Sequence, residues 1–173
     1  NASSSFLSLS EPEDKLLVIN SSSKSFNMTG WRVGWITHPE YLGEHIAKLV
    51  QISTTGVPEF IQKGFIEALK NHEFLVEEVM KNLHVSRDFV YNKMKHWTKL
   101  KINKPVSAFY FFFKANDARD SISFCKNLIK KTQVGLAPGV AFGKTGDNFL
   151  RLCFAADVKF LENILNRLEE EFN

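Results

Sequence analysis

Ser21-Ser22-Ser23-Lys24-Ser25-Phe26-Asn27-Met28-Thr29-Gly30-Trp31-Arg32-Val33-Gly34 is the stretch that decides how this 173-residue chain is read. Hydroxyls precede a lysine, a glycine turn follows it, and an arginine sits eight residues beyond the lysine. A lysine after an apolar run is by itself an ordinary surface residue; its neighbours give it chemistry. An amine that attacks a carbonyl must be neutral, which desolvation or a nearby positive charge favours. Arg32 supplies such a charge and can grip a phosphate with two parallel hydrogen bonds. Ser21 and Ser23 offer hydroxyl donors to the same group. Gly30 is expected to turn the chain so that Arg32 comes back towards Lys24. Together an amine, a guanidinium and hydroxyls suit one phosphorylated aldehyde.

Outward from this stretch, the elements read in the order β-β-α-α-α-β-α-β-α. Leu16-Leu17-Val18-Ile19 is a short apolar run between polar residues, expected as a buried strand of a parallel sheet. Trp31 to Ile36 is a second candidate strand, with Gly30 and Gly34 allowing close backbone approach. Leu42, Ile46, Leu49 and Val50 recur at helical spacing between Pro39 and Ile52. Pro58 can open the next helix, which continues through Phe60, Ile61, Phe65, Ile66 and Leu69. A helix from about Glu73 to Trp97 is long enough to bridge two parts of a larger protein.

Ala108 to Phe113 reads as a strand, Asp120 to Thr132 as a helix, and Phe149 to Phe154 as a strand with Arg151 inside it. Asp157 is placed to cap a last amphipathic helix over Val158 to Phe172. This order predicts an α/β or α+β fold, with a small mixed sheet after residue 100.

Composition narrows the class. Hydrophobic residues make up 44% and charged residues 24%, as in an ordinary globular domain, and sixteen phenylalanines can furnish a core. The net charge of +3, with no arginine-rich run, does not point to nucleic acid. No apolar stretch reaches the roughly 20 residues that a bilayer demands, so no membrane partner is expected. Cys125 and Cys153 match no metal or redox spacing and read as reduced, small hydrophobes. The five histidines show no metal-ligand spacing, and no metal is expected. Lys93, Lys95, Lys99 and Lys101 around Trp97 read as a solvated basic face.

The stretch from Ser21 to Gly34 closely resembles the cofactor-attachment motif of class I pyridoxal-phosphate aminotransferases. That pattern is a small hydroxyl residue, any residue, Ser, Lys, then a glycine and an arginine at set distances, ending in a small residue. Ser21, Ser23, Lys24, Gly30, Arg32 and Gly34 match it. Ser22 stands where an apolar residue is more usual. The resemblance continues through Pro105-Val106-Ser107-Ala108-Phe109-Tyr110, similar to the family's strand entry into its small domain. It extends to Ala137-Pro138-Gly139-Val140-Ala141-Phe142-Gly143, Gly146 and Arg151-Leu152-Cys153-Phe154-Ala155, similar to its substrate-carboxylate segment. Two separate motifs in the expected order are far more specific than either alone.

The resemblance implies a chemistry and an assembly. Lys24 would carry pyridoxal 5'-phosphate as a Schiff base and then shuttle a proton. Ser21 and Arg32 would hold the phosphate, with Ser23 as a further candidate. Arg151 would pair with the substrate's α-carboxylate. The parent activity would be transfer of an amino group between an L-amino acid and a 2-oxo acid, in a cytoplasmic homodimer.

The fold implied is the C-terminal part of a fold type I pyridoxal-phosphate enzyme. Residues 1–57 would end the large cofactor domain, 58–98 form a helical region with the bridging helix, and 99–173 form the small α/β domain. The family's glycine-rich phosphate loop, ring-nitrogen aspartate and ring-facing tyrosine have no counterpart in these residues and would lie upstream. The 173-residue chain alone is therefore expected to bind the cofactor weakly and not to transaminate. Two alternatives stay open: a β-lyase or synthase of the same fold, and an aminotransferase-like ligand-sensing domain of a transcription regulator.

Overall fold

The computed structural model describes residues 5–173, which divide into two units at Val79/Met80. In the first, Val18–Ser21 (β1) and Gly34–Thr37 (β2) pair antiparallel, with Ser21 opposite Gly34 and Val18 opposite Thr37. A one-turn helix, Ser22–Ser25 (α1), leaves β1 directly, and a 3-10 turn, Thr29–Trp31, precedes β2. Gly43–Thr54 (α2) and Glu59–Lys70 (α3) follow, and His72–Met94 (α4) runs through the boundary between the units. Pro58 stands immediately before α3, where its missing N–H costs nothing.

The small core of this unit is Met28, Val33, Phe65 and Ala68. Phe65 meets Phe26 edge-on at 5.6 Å and lies 5.4 Å from the Trp35 ring. Residues of α3 thus anchor the segment between β1 and β2. The buried parallel strand expected over Leu16 to Ile19 is not what forms. The strand begins at Val18, its partner is antiparallel, and Ile19 is 77% exposed. The four core residues all lie outside the ladder, and β2 is exposed along its whole length.

The second unit holds the four-stranded sheet of Leu100–Lys101 (β3), Tyr110–Ala115 (β4), Ala137–Pro138 (β5) and Phe149–Cys153 (β6), in the order β3-β4-β6-β5. The small α/β unit is present, but all three strand pairings are antiparallel rather than mixed. The helix Ser121–Thr132 (α5) links β4 to β5, which run the same way, and β6 inserts between them in the opposite direction.

Alternation along the strands separates two faces. Phe111, Phe113, Ala115, Leu150 and Leu152 are buried in one core cluster with Val90 and Met94 of α4 and Cys125 and Leu128 of α5. Leu161, Leu165, Leu168 and Phe172 join them from Val158–Phe172 (α6), spaced to form a single apolar stripe. The opposite sheet face carries Tyr110, Phe112, Phe149 and Arg151. Asp157 caps α6 by accepting from the Phe160 N–H at 2.9 Å, and Asp120 caps α5 by accepting from the Ser123 N–H at 3.0 Å.

Two tests follow from this core and its caps. Phe111→Ala removes a fully buried ring and is expected to cost about 3–5 kcal/mol in urea unfolding. Phe112→Ala, on the open face, should cost about 1 kcal/mol, the worth of its aromatic contacts. The Asp120 carboxyl is held below the usual range, first by the Ser123 N–H and then by the Ser123 hydroxyl. Because its folded pKa is depressed, the stabilisation is complete above the ordinary Asp value and is lost as pH falls through the folded one. Relative to Asp120→Asn, the parent should lose stability on acidification below about pH 4. A pH profile parallel to that of the variant would contradict this.

Candidate active site

The cofactor-side candidates lie at one end of the β1–β2 ladder. Ser22, fully buried, donates its hydroxyl to the Val33 carbonyl at 2.8 Å, and its N–H reaches the same oxygen at 3.2 Å. This doubled tie extends the ladder one step beyond Ser21 and Gly34. It holds the start of α1 beside the residues that follow Arg32. Gly34 permits the approach, since a Cβ there would stand 2.5 Å from the Asn20 carbonyl oxygen. Ser21 caps α1, its Oγ accepting from the Ser23 N–H at 3.1 Å. That bond uses a lone pair and leaves the Ser21 proton to donate. Lys24 is exposed on α1. Arg32, also exposed, donates from Nη1 to the Thr29 carbonyl at 2.9 Å, which fixes one edge of its guanidinium.

The structure therefore brings Ser21, Ser23, Lys24 and Arg32 to one hairpin end. The turn that does so differs from expectation. Gly30 keeps an ordinary conformation, and the left-handed residues are Asn27 (φ 53°) and Arg32 (φ 54°). Asparagine adopts that region with little penalty. Ser22 stands where the motif more usually has an apolar residue, yet it carries the buried bond. Its position between a capping serine and a turn was the signal available in the sequence.

Arg151 lies in the second unit, on the open face of the sheet, opposite Phe112 in one neighbour strand and Ala137 in the other. Its guanidinium carbon is 4.2 Å from the Tyr110 ring centroid and 4.2 Å from that of Phe142. No carboxylate of the described residues forms an ion pair with it. Gly139 and Gly146 let the segment carrying Phe142 fold close to β6, since a Cβ at Gly139 would meet the Phe149 carbonyl oxygen at 2.6 Å.

Other candidates resolve into structure. The basic face around Trp97 is tied to α6: Lys93 bonds Asn166 and pairs with Glu169 at 3.7 Å, and Trp97 is buried in a stack on Phe172. Cys125 is in the core, where burial pushes its thiol up, whereas Cys153 is exposed. Among the described residues no group of His, Cys, Asp or Glu is arranged to hold a metal, and no helix is long and apolar enough to cross a membrane.

Residues 2–168 match the family model described as "Aminotransferase class I and II". The chain belongs to this aminotransferase family. A probable aspartate aminotransferase of Methanocaldococcus jannaschii is 33% identical over 165 residues, 92% of this chain and 43% of that protein. The crystal structure of aspartate aminotransferase from Thermotoga maritima superposes with a TM-score of 0.84 at 32% identity, over 97% of this chain and 43% of that one. The aromatic aminotransferase of Pyrococcus horikoshii gives 0.81 at 32%, over 90% and 42%. The chain thus spans about two fifths of the length of the relatives it matches, and its α/β fold is that of fold type I aminotransferases.

Members of this aminotransferase family generally use pyridoxal phosphate. The donor set at the hairpin end fits that group chemically: an amine for an aldehyde, and a guanidinium with two serine hydroxyls for a phosphate ester. Gly34→Ala tests the geometry of this aminotransferase hairpin. The added Cβ should force β1 and β2 apart. Hydrogen exchange at the Ser22 amide is expected to accelerate by at least tenfold, with α6 amides unchanged. Unaltered protection of Ser22 would contradict the placement.

Proposed function

We propose that the protein acts as a pyridoxal-phosphate-dependent aminotransferase, moving an amino group between an L-amino acid and a 2-oxo acid. The observation that carries this reading is the gathering of Ser21, Ser23, Lys24 and Arg32 at one end of the β1–β2 ladder, in a chain of the aminotransferase family. Residues 1–57 close the cofactor domain, 58–98 form the helical region, and 99–173 form the small domain.

Arg32 and the Ser21 hydroxyl hold the phosphate, the arginine through the guanidinium edge left after its bond to Thr29. Ser23 is a second hydroxyl donor. Lys24 Nζ would hold the cofactor by condensing with its aldehyde, water leaving, and, once the substrate's amine has displaced it, would take the substrate's Cα proton and return it. That is acid–base catalysis by a positioned group. Bound pyridoxal phosphate supplies the electron sink for the substrate carbanion. Arg151 takes the substrate α-carboxylate in the plane of its guanidinium and so fixes the direction of the Cα–H bond.

The partners are the amino acid, the 2-oxo acid and a second copy of the chain in a cytoplasmic homodimer. Exposed apolar side chains in the first unit, Ile52 and Phe60 among them, support the homodimer. The 173-residue chain alone is expected not to transaminate: it spans about two fifths of its relatives' length and leaves Ile19 of β1 exposed.

Amino-donor assays on the full-length protein test this reading. Lys24→Ala should lower turnover at least a thousandfold. Arg151→Ala should cost about a hundredfold in kcat/KM by leaving the carboxylate unpaired. Turnover by Lys24→Ala close to that of the parent would overturn the assignment.

A further inference from the structure

Arg151 is held in a way that a simple structural arginine is not. An arginine retained for stability is ordinarily spent on a carboxylate, and this one has none among the described residues. Instead a ring faces its guanidinium carbon at 4.2 Å from each of two elements, Tyr110 from β4 and Phe142 from the segment after β5. A guanidinium is weakly hydrated over its planar faces and carries its five N–H donors at its edge. Rings against the plane attract the cation through their quadrupoles and keep water off it. The edge remains for an acceptor lying in the same plane, which is how a carboxylate meets arginine with two parallel hydrogen bonds.

Both rings are themselves fixed. Tyr110 projects from a strand, on the same face as Phe112 and Arg151, with the Phe109 ring 4.5 Å away. Phe142 meets Phe112 edge-on at 5.9 Å, and Phe112 stacks on Phe149 at 5.0 Å. The backbone carrying Phe142 is pinned by a polar cluster at the start of α5. The Ser121 hydroxyl donates to Asp147 Oδ1 at 3.2 Å and accepts from the Val140 N–H at 3.4 Å, and the Ser121 N–H also reaches Asp147 at 3.3 Å. Ser121 is fully buried, so this cluster is the firm support of the clamp.

We propose that Tyr110 and Phe142 are positioning residues that clamp the guanidinium of Arg151 between their rings, so that the substrate α-carboxylate is received edge-on in a fixed plane. This rests on Arg151 being the carboxylate ligand. The clamp adds that ring character, not bulk alone, sets affinity for any carboxylate at this point. Exposure of both rings' outer surfaces is compatible with that role, since neither is needed to fill the core cluster.

The test uses the full-length protein with its cofactor and two kinds of variant. Tyr110→Leu and Phe142→Leu keep bulk but remove the ring; Tyr110→Phe and Phe142→Tyr keep the ring. KM for the amino donor, kcat, and inhibition by propionate, an unreactive carboxylate, are measured for each, with Arg151→Ala alongside. Each leucine variant should raise both KM and the propionate inhibition constant by about tenfold, with kcat at saturation within about threefold. The ring-keeping variants should stay within about twofold on all three.

If the leucine variants leave KM and propionate inhibition unchanged while Arg151→Ala raises both, the clamp is wrong and the carboxylate reading stands. If Arg151→Ala leaves propionate inhibition unchanged, both fall. A drop in kcat with KM unmoved, or failure of the ring-keeping variants to preserve KM, would also refute the clamp.

Discussion

One carbonyl oxygen, that of Val33, carries the arrangement on which the site depends. Ser22 reaches it twice, from its N–H and from its buried hydroxyl. The segment between the two bonded residues must therefore close on itself within eleven positions. Ser21 then stands at the start of α1, Lys24 on its exposed side, and Arg32 next to the bonded carbonyl. A hydroxyl buried without such a bond would cost about 1–3 kcal/mol, so the tie is strongly preferred once Ser22 is inside. Packing reinforces it, with Met28 and Val33 held against Phe65 and Ala68 of α3.

The second unit reaches the same end by different means. Its sheet buries one face against α4, α5 and α6 and leaves the other to aromatic side chains and one arginine. Strand alternation alone puts Tyr110, Phe112, Phe149 and Arg151 together. The Ser121–Asp147 pair and the close pass of Gly139 by Gly146 bring Phe142 to them. The first unit gathers hydroxyls and an amine around a tight turn; the second sets a cation against two rings on a sheet.

The sequence made much of this legible. Helices α2 to α6 were legible as helices, and Asp157 as a cap because a cap needs a short side-chain acceptor; the Asp120 cap is visible only in the fold. Lys24, Arg32 and Arg151 stood out because cation and hydroxyl spacing is a chemical pattern, visible before folding. Strand direction was not legible. The run Leu16 to Ile19 is as apolar as a buried parallel strand, and nothing in it shows that its partner comes back antiparallel. The sheet of the second unit was misjudged for a related reason, since a helix between β4 and β5 looks the same whether or not a third strand inserts between them. The roles of Ser22 and Tyr110 were hidden because each depends on a partner that only the fold brings near: Val33 across a hairpin, and Arg151 across a sheet.

The central claim is that Lys24 carries the cofactor. Borohydride reduction of the full-length protein loaded with pyridoxal phosphate, followed by peptide mapping, measures it directly. The account predicts a single phosphopyridoxyl group on Lys24, absent after Lys24→Arg. Label on another lysine, or none on a protein that binds the cofactor, would contradict it.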